Sequence, residues 1–214
     1  ICAARGVDRL EAAVAEMAAA GFSAEARALD VADLSAVKDV MAEVGPVDIL
    51  VNAAGLARHT AAMETEAGDY DAVMDVNLKG AYFLSAEVAR GLMAAGRKGS
   101  IIHISSQMGH VGGIDRAVYS ASKHGLEGMV KSMAIEWGPK GIRINTICPT
   151  FIRTPLTAPT FDNPERVAWI EEKIKLGRVG EVEDVMGAVV YLASDASALV
   201  TGTSILVDGG WTAD

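Results

Sequence analysis

Strand-like apolar runs alternate with helix-period segments along the whole chain, and no other feature restricts the fold as much. A short apolar run followed by an amphipathic segment and a second apolar run is the signature of a βαβ unit, whose helix crosses between parallel strands. Strands are predicted at 1–4, 24–29, 47–52, 100–105, 142–148 and 204–207. Helices are predicted at 8–20, 34–44, 70–95, 118–137, 164–175 and 182–193. Gly21, Gly96, Gly138 and Gly141 stand where helices should stop. The expected class is α/β, a doubly wound parallel sheet flanked by helices. The stretch at 150–176 carries Pro155, Pro159 and Pro164 and reads as a flap with one helix, a common site of substrate closure.

The 214 residues suffice for one α/β domain with a sizeable core. Ala and Gly are plentiful while aromatics make up only 5%, which suits tight packing of helix on sheet. A net charge of −9 argues against nucleic acid or an anionic membrane surface as a partner, since both reward basic patches. No apolar run is long enough to span a bilayer. Cys2 and Cys148 form no CxxC or metal spacing, and they read as small buried hydrophobes at strand ends. The histidines His59, His103, His110 and His124 likewise show no metal-ligand spacing, so no metal is expected. A reducing, cytoplasmic setting follows as the default.

The chemistry concentrates in Tyr119-Ser120-Ala121-Ser122-Lys123, with Ser106 upstream at the mouth of a predicted strand. A Tyr and a Lys four residues apart share one helix face, so the ammonium can favour the ionised phenol. A free tyrosine titrates near ~10, and lowering it by ~3 units takes ~4 kcal/mol, which one close cation in a poorly solvated cleft can largely supply. A serine hydroxyl beside that pair can hold a substrate oxygen. Such a trio moves a proton on and off a carbinol oxygen.

Further residues fall in a telling order. Asn52-Ala53-Ala54-Gly55 closes an apolar strand, Asn77 interrupts an apolar helix, Cys148-Pro149-Thr150-Phe151-Ile152-Arg153-Thr154 follows another strand, and Asp208-Gly209-Gly210 lies near the end. With the Tyr and Lys, these resemble the short-chain dehydrogenase/reductase family over the whole chain, and within it the gluconate 5-dehydrogenase group. The resemblance implies a Rossmann-type fold and one dinucleotide-binding oxidoreductase domain over 1–214. It also implies a preceding strand, Gly-rich turn and first helix, a piece of ~30–40 residues by the size of a βαβ unit, that these residues do not include. The strands at 1–4 and 47–52 then lack their shared neighbour.

The resemblance further implies reversible hydride transfer between a nicotinamide and a secondary alcohol or ketone. Tyr119 is then the general acid/base, Lys123 depresses its pKa and holds the nicotinamide ribose, Ser106 polarises the substrate oxygen, and Asn77 anchors a water in the proton relay. Asp30 and Val31 receive the adenine. Asn52, Ala54 and Gly55 border the cofactor, and Pro149, Ile152 and Thr154 meet the nicotinamide. Thr150 departs from the family, which usually has Gly there. Where an acid would exclude a 2′-phosphate stands Ala4, followed by Arg5, whose planar fork suits a phosphate; NADP(H) is expected over NAD(H). Gln107, His110, Arg153 and Trp169 are the expected substrate residues, with Met108, Gly113, Thr150, Thr157 and Phe161 in the lining. This polar set favours a sugar, polyol or sugar acid. The alternatives are an acyl-carrier-bound 3-oxoacyl substrate or a cofactor-binding paralogue without catalysis. Apolar stripes on the helices at 70–95 and 118–137, and an uncovered Trp211, predict a homotetramer.

Overall fold

In the computed structural model, which describes residues 1–155 and 157–213, every strand pairs parallel; Leu156 of the predicted flap and Asp214 lie outside the described residues. The elements run β1 (Cys2–Ala4), α1 (Val7–Ala19), β2 (Ala26–Ala28), α2 (Leu34–Val44), β3 (Ile49–Asn52), α3 (Ala67–Met74), α4 (Ala81–Ala94), β4 (Gly99–Ile104), α5 (Ala117–Trp137), β5 (Ile142–Pro149), α6 (Ala158–Phe161), α7 (Pro164–Lys173), α8 (Val182–Ala193) and β6 (Ser204–Val207). The strands form two groups, β1-β2 and β3-β4-β5-β6. β1 and β3 do not pair, and a cleft of about 580 Å³ lies between them, lined by Ala3, Leu29, Ile49, Val51 and Val76 among others. The expectation that strands 1–4 and 47–52 lack a shared neighbour is met.

Helices cover both faces of the sheet because side chains alternate along each strand. Ile101 of β4 packs with Leu84, Val88 and Leu92 of α4 and Val130 and Met133 of α5. Its neighbour Ile102 points the other way, toward Leu192, Val185 and Val189 of α8. The stripes that the sequence marked, Leu84, Val88 and Leu92 of α4 and Leu126, Val130 and Met133 of α5, are buried within the chain, while Tyr82, Phe83 and Met93 of α4 and Ile135 of α5 stay exposed. Trp211 is also covered, by Phe151 and Trp169 at ring distances of 5.7 and 5.5 Å. α8 keeps a separate exposed line, Val182, Met186 and Val190, which are 49%, 54% and 64% accessible. Among the described residues no helix is long and apolar enough to cross a membrane.

The helix predicted at 70–95 is broken. A π-turn at Asp75–Gly80 separates α3 from α4. Two residues account for it. Asn77 turns its amide inward, and Gly80 lets the turn press on the loop after β2: a Cβ there would lie 2.5 Å from the Val31 carbonyl oxygen. The two helices bounded by strong amino-terminal caps match their predicted limits. Asp33 accepts from the backbone of Ser35 and Ala36 ahead of α2, and Glu181 forms a reciprocal capping box with Asp184 ahead of α8.

Candidate active site

Because β3, β4 and β5 are parallel neighbours, their carboxyl ends deliver Asn52, Ser105-Ser106 and Pro149 to one edge of the sheet, where α/β proteins bind ligands. α5 begins at Ala117 and lays its first turns across that edge, with Tyr119 and Lys123 on the face toward β4. Lys123 is 3% exposed. It donates to the Ile104 carbonyl at 3.0 Å and lies 5.7 Å from the Tyr119 ring centre. Burial holds its pKa down at about 8. Ser106 accepts from the Met108 amide at 3.1 Å, and its hydroxyl lies on the side of the Tyr119 phenol, whose pKa it lowers.

Burial raises the Tyr119 pKa, while the Ser106 hydroxyl and the charge of Arg116 pull it back down. The Lys123 ammonium is turned to the Ile104 carbonyl. Arg116 lies three residues before Tyr119, one helical turn away, and its importance is invisible without the helix start. His59 is a second residue the sequence did not single out. Its ring stands edge-on to Tyr119 at 5.9 Å. Burial, with Arg116 and Arg166 nearby, holds its pKa down at about 4, so the imidazole is neutral at physiological pH.

Asn77 is buried, and its amide is fully employed. Oδ1 accepts from the Leu56 amide at 2.7 Å, and Nδ2 donates to the Leu56 carbonyl at 2.9 Å and to Ser122 Oγ at 3.1 Å. It pins the loop after β3 to α5, and no contact joins its side chain to Lys123. Asn52 likewise shapes that loop, accepting from the Ala54 amide at 3.1 Å. Its Nδ2 donates to His103 Nδ1 at 3.1 Å, so His103 carries its proton on Nε2 and donates to Ser85 at 2.8 Å. Complete burial drives His103 down to about 3, which fits this neutral tautomer.

Arg5, Asp30, Val31, Asn52, Ala54 and Gly55 all line the cleft between β1 and β3. Arg5 is exposed, and its one partner among the described residues is Asp30, at a loose 3.9 Å. Asp30 also accepts from the Ala32 amide. Pro149 ends β5; Ile152 bridges to Gly180, and the Thr154 hydroxyl meets Thr157 at 3.1 Å. Ser105 Oγ, Gln107 Oε1, Ser120 Oγ and Thr150 Oγ1 are buried without a hydrogen-bond partner. Unpaired buried polar atoms, and an ammonium with a single hydrogen bond, fit a polar, hydroxyl-rich ligand such as a nicotinamide nucleotide. The exposed Arg5 guanidinium, held only loosely by Asp30 and preceded in the chain by Ala4 rather than an acid, fits a phosphate.

A second cleft, of about 240 Å³, is lined by Met108, Gly113, Ile114, Asp115, Arg116, Phe151, Arg166, Trp169 and Trp211. Of the predicted substrate residues it takes Trp169 and leaves out Gln107, His110 and Arg153. Arg153 pairs with Glu181 at 3.3 Å and covers the Phe161 ring at 4.7 Å, so its charge is spent at the root of the flap. His110 turns to Glu127, 4.0 Å away. Gln107 is buried behind the loop wall. His110, Glu127 and Cys148 converge, which spacing did not reveal. The Glu127 carboxylate already accepts from Thr146, Ser204 and Cys148, and burial pushes the Cys148 thiol up to about 12, far from the thiolate a metal needs.

Comparison with known proteins agrees with this geometry. The family described as Enoyl-(Acyl carrier protein) reductase matches residues 1–212. A 2-dehydro-3-deoxy-D-gluconate 5-dehydrogenase of Escherichia coli K12 is 43% identical over 173 residues, 81% of this chain and 68% of that protein. An L-xylulose reductase of Bos taurus is 38% identical over 185 residues, 86% of this chain and 76% of that protein. A crystal structure of a gluconate 5-dehydrogenase from Burkholderia cenocepacia J2315, in complex with NADP and tartrate, superposes with a TM-score of 0.93 at 32% identity, covering 99% of this chain and 84% of that one. With Ser106, Tyr119 and Lys123 gathered at the carboxyl edge of a parallel sheet, the chain belongs to the short-chain dehydrogenase/reductase family.

Proposed function

We propose that this protein transfers a hydride reversibly between NADP(H) and a secondary alcohol or ketone of a sugar, polyol or sugar acid. The observation that carries the reading is the gathering of Ser106, the Tyr119 phenol and the buried Lys123 ammonium, next to a small cleft that Arg116 and Arg166 line. Arg5, Asp30 and Val31 would hold the adenosine end of the cofactor, Asn52, Ala54 and Gly55 its middle, and Lys123, Pro149, Ile152 and Thr154 the nicotinamide end. When bound, the nicotinamide supplies or accepts the hydride at the carbinol carbon. Ser106 donates to the substrate oxygen and fixes it near the phenol. Tyr119 gives that oxygen its proton in reduction and takes it in oxidation. Arg116 and the buried Lys123 keep positive charge near the phenolate that forms. Asn77 holds the loop after β3 against α5, so both walls of the site keep their spacing.

The cleft size favours this reading over the acyl-carrier alternative. A volume of about 240 Å³ suits a compact molecule and leaves little room for an extended acyl chain. The retained Tyr119, Lys123 and Ser106 weigh against a non-catalytic paralogue. The test is a panel of sugars, polyols, sugar acids and 3-oxoacyl thioesters, followed by NADPH and NADH absorbance, with Tyr119→Phe as the control. Turnover of a hydroxylated substrate that disappears in Tyr119→Phe is expected. Turnover surviving that substitution overturns the mechanism, and a preference for oxoacyl thioesters overturns the substrate class. The whole chain acts as one domain in this reading. Its two cysteines form no disulfide, which suits a reducing, cytoplasmic setting. The exposed α8 line, with Leu199 and Leu206 nearby in sequence, supports a homotetramer, which light scattering of the purified protein tests.

A further inference from the structure

The cleft beside Tyr119 contains two guanidinium groups without an anionic partner. Arg116 is only 7% exposed, yet among the described residues no carboxylate lies within 4.0 Å of it and its side chain makes no hydrogen bond. Arg166, in the first turn of α7, is exposed but likewise has no anionic partner among the described residues, and the two repel each other. The one acid in the lining is Asp115, and His59 beside them is neutral, so the cleft is positive overall in a chain of net charge −9. Asp115 also carries the chain's one described non-glycine residue with left-handed backbone, φ 57°, directly before Arg116. Such a conformation costs roughly 1–3 kcal/mol and persists where the surroundings enforce it. A buried, unpaired cation is itself costly. Both costs fall on the same two adjacent residues, at the wall of the reaction site. The walls otherwise supply apolar surface, from Met108, Phe151, Trp169 and Trp211.

We infer that Arg116 and Arg166 together form a carboxylate-binding subsite, and that the substrate is a hydroxylated acid, not a neutral sugar or polyol. This rests on the oxidoreductase reading above and narrows it. Arg116 stands at the foot of the catalytic helix and Arg166 on the flap helix α7. A carboxylate held between them ties the flap to the wall that carries Tyr119, and sets which carbon of the substrate reaches the phenol. The planar guanidinium forks match the two oxygens of a carboxylate. Arg153, the cation that the sequence offered for this task, is held by Glu181 instead.

Two measurements test the inference separately from turnover. Isothermal titration of the purified protein, with NADP⁺ present, compares gluconate with sorbitol, which has the same chain length and no carboxylate, at constant ionic strength. Gluconate is expected to bind and sorbitol to bind at least tenfold more weakly, since one charge-assisted contact changes affinity by about tenfold or more. Arg166→Gln, on an exposed turn, and Arg116→Gln should each remove that preference. Equal binding of the two probes, or gluconate preference retained in both variants, overturns the subsite. In the kinetic arm, Arg166→Gln should raise KM for hydroxy acids more than it lowers kcat, whereas Arg116→Gln, which also removes the charge beside the phenol, should change both. Turnover of polyols in preference to acids overturns this inference while leaving the oxidoreductase reading intact. Gluconate binding without turnover of any alcohol or ketone would leave the subsite standing and overturn the reading beneath it.

Discussion

Replacing Asn77 with alanine removes three side-chain hydrogen bonds at once, at 2.7, 2.9 and 3.1 Å, and leaves the Leu56 amide and carbonyl to find other partners. At about 1 kcal/mol net for each bond, the loss is ~3 kcal/mol. For a chain of this size each kcal/mol moves the midpoint by ~2–4 °C, so Tm should fall by ~6–12 °C. Asn77→Asp keeps the acceptor for the Leu56 amide but loses both donors, and faces the Leu56 carbonyl with a carboxylate. It should therefore be no more stable than the alanine variant, despite being nearly isosteric. The damage has a functional side, because the loop that Asn77 pins runs on from Ala54 and Gly55, which line the long cleft. Cofactor affinity should fall together with stability, and both can be read from thermal unfolding with and without NADP⁺. An alanine variant melting within ~2 °C of the parent would refute the reasoning, because three buried bonds cannot all be worth so little.

Arg5→Ala should weaken NADPH more than NADH by roughly tenfold or more, the worth of one charge-assisted pair; a parent protein that already binds NADH more tightly refutes this assignment. Gly80→Ala drives a Cβ to 2.5 Å from the Val31 oxygen and 3.0 Å from the Asp75 oxygen, both backbone atoms. Overpacking of this kind costs ~1–3 kcal/mol, more than the ~1 kcal/mol that alanine gains in a helix, so urea unfolding should show a loss, and a gain would count against the close approach. His103 titrates normally near 6.5 when unfolded and at about 3 when folded, so below 6.5 the unfolded chain binds more protons and stability drains away as pH falls toward 3. Between pH ~6.5 and ~4.5 this one group accounts for up to ~3 kcal/mol, with His59 acting in the same direction. His103→Gln should flatten the acid limb of stability measured in urea, and an unchanged limb means other groups dominate it.

Much of this was legible in the sequence, for identifiable reasons. α2 and α8 begin at side chains that satisfy their own first amides, so their limits are locally encoded. Tyr119 and Lys123 meet because they are four apart on one helix. Asn77 announced a break in an apolar helix, although the π-turn itself needed Gly80 against Val31, a contact between distant segments. What stayed hidden depends on tertiary approach. Arg116 and Arg166 are fifty residues apart, and nothing local marks either as lining one cleft. Arg153 looked available because Glu181 lies beyond the flap. Trp211 looked uncovered because its cover, Phe151 and Trp169, comes from other segments.

That aromatic seam gives the molecule an optical readout of its own. Of the three tryptophans, Trp169 rides on α7 and stacks edge-on against Trp211, 5.5 Å away, while Trp137 sits far along α5 against the main core. Emission from the first two depends on whether α7 lies against the carboxyl-terminal tail, whereas Trp137 contributes a constant background. In a Trp137→Phe protein, the emission maximum and its quenching by iodide would follow the movement of α7 in real time without any attached dye. Stopped-flow mixing with cofactor and substrate could then time that movement against the absorbance change of the nicotinamide and determine which of the two sets the pace of turnover.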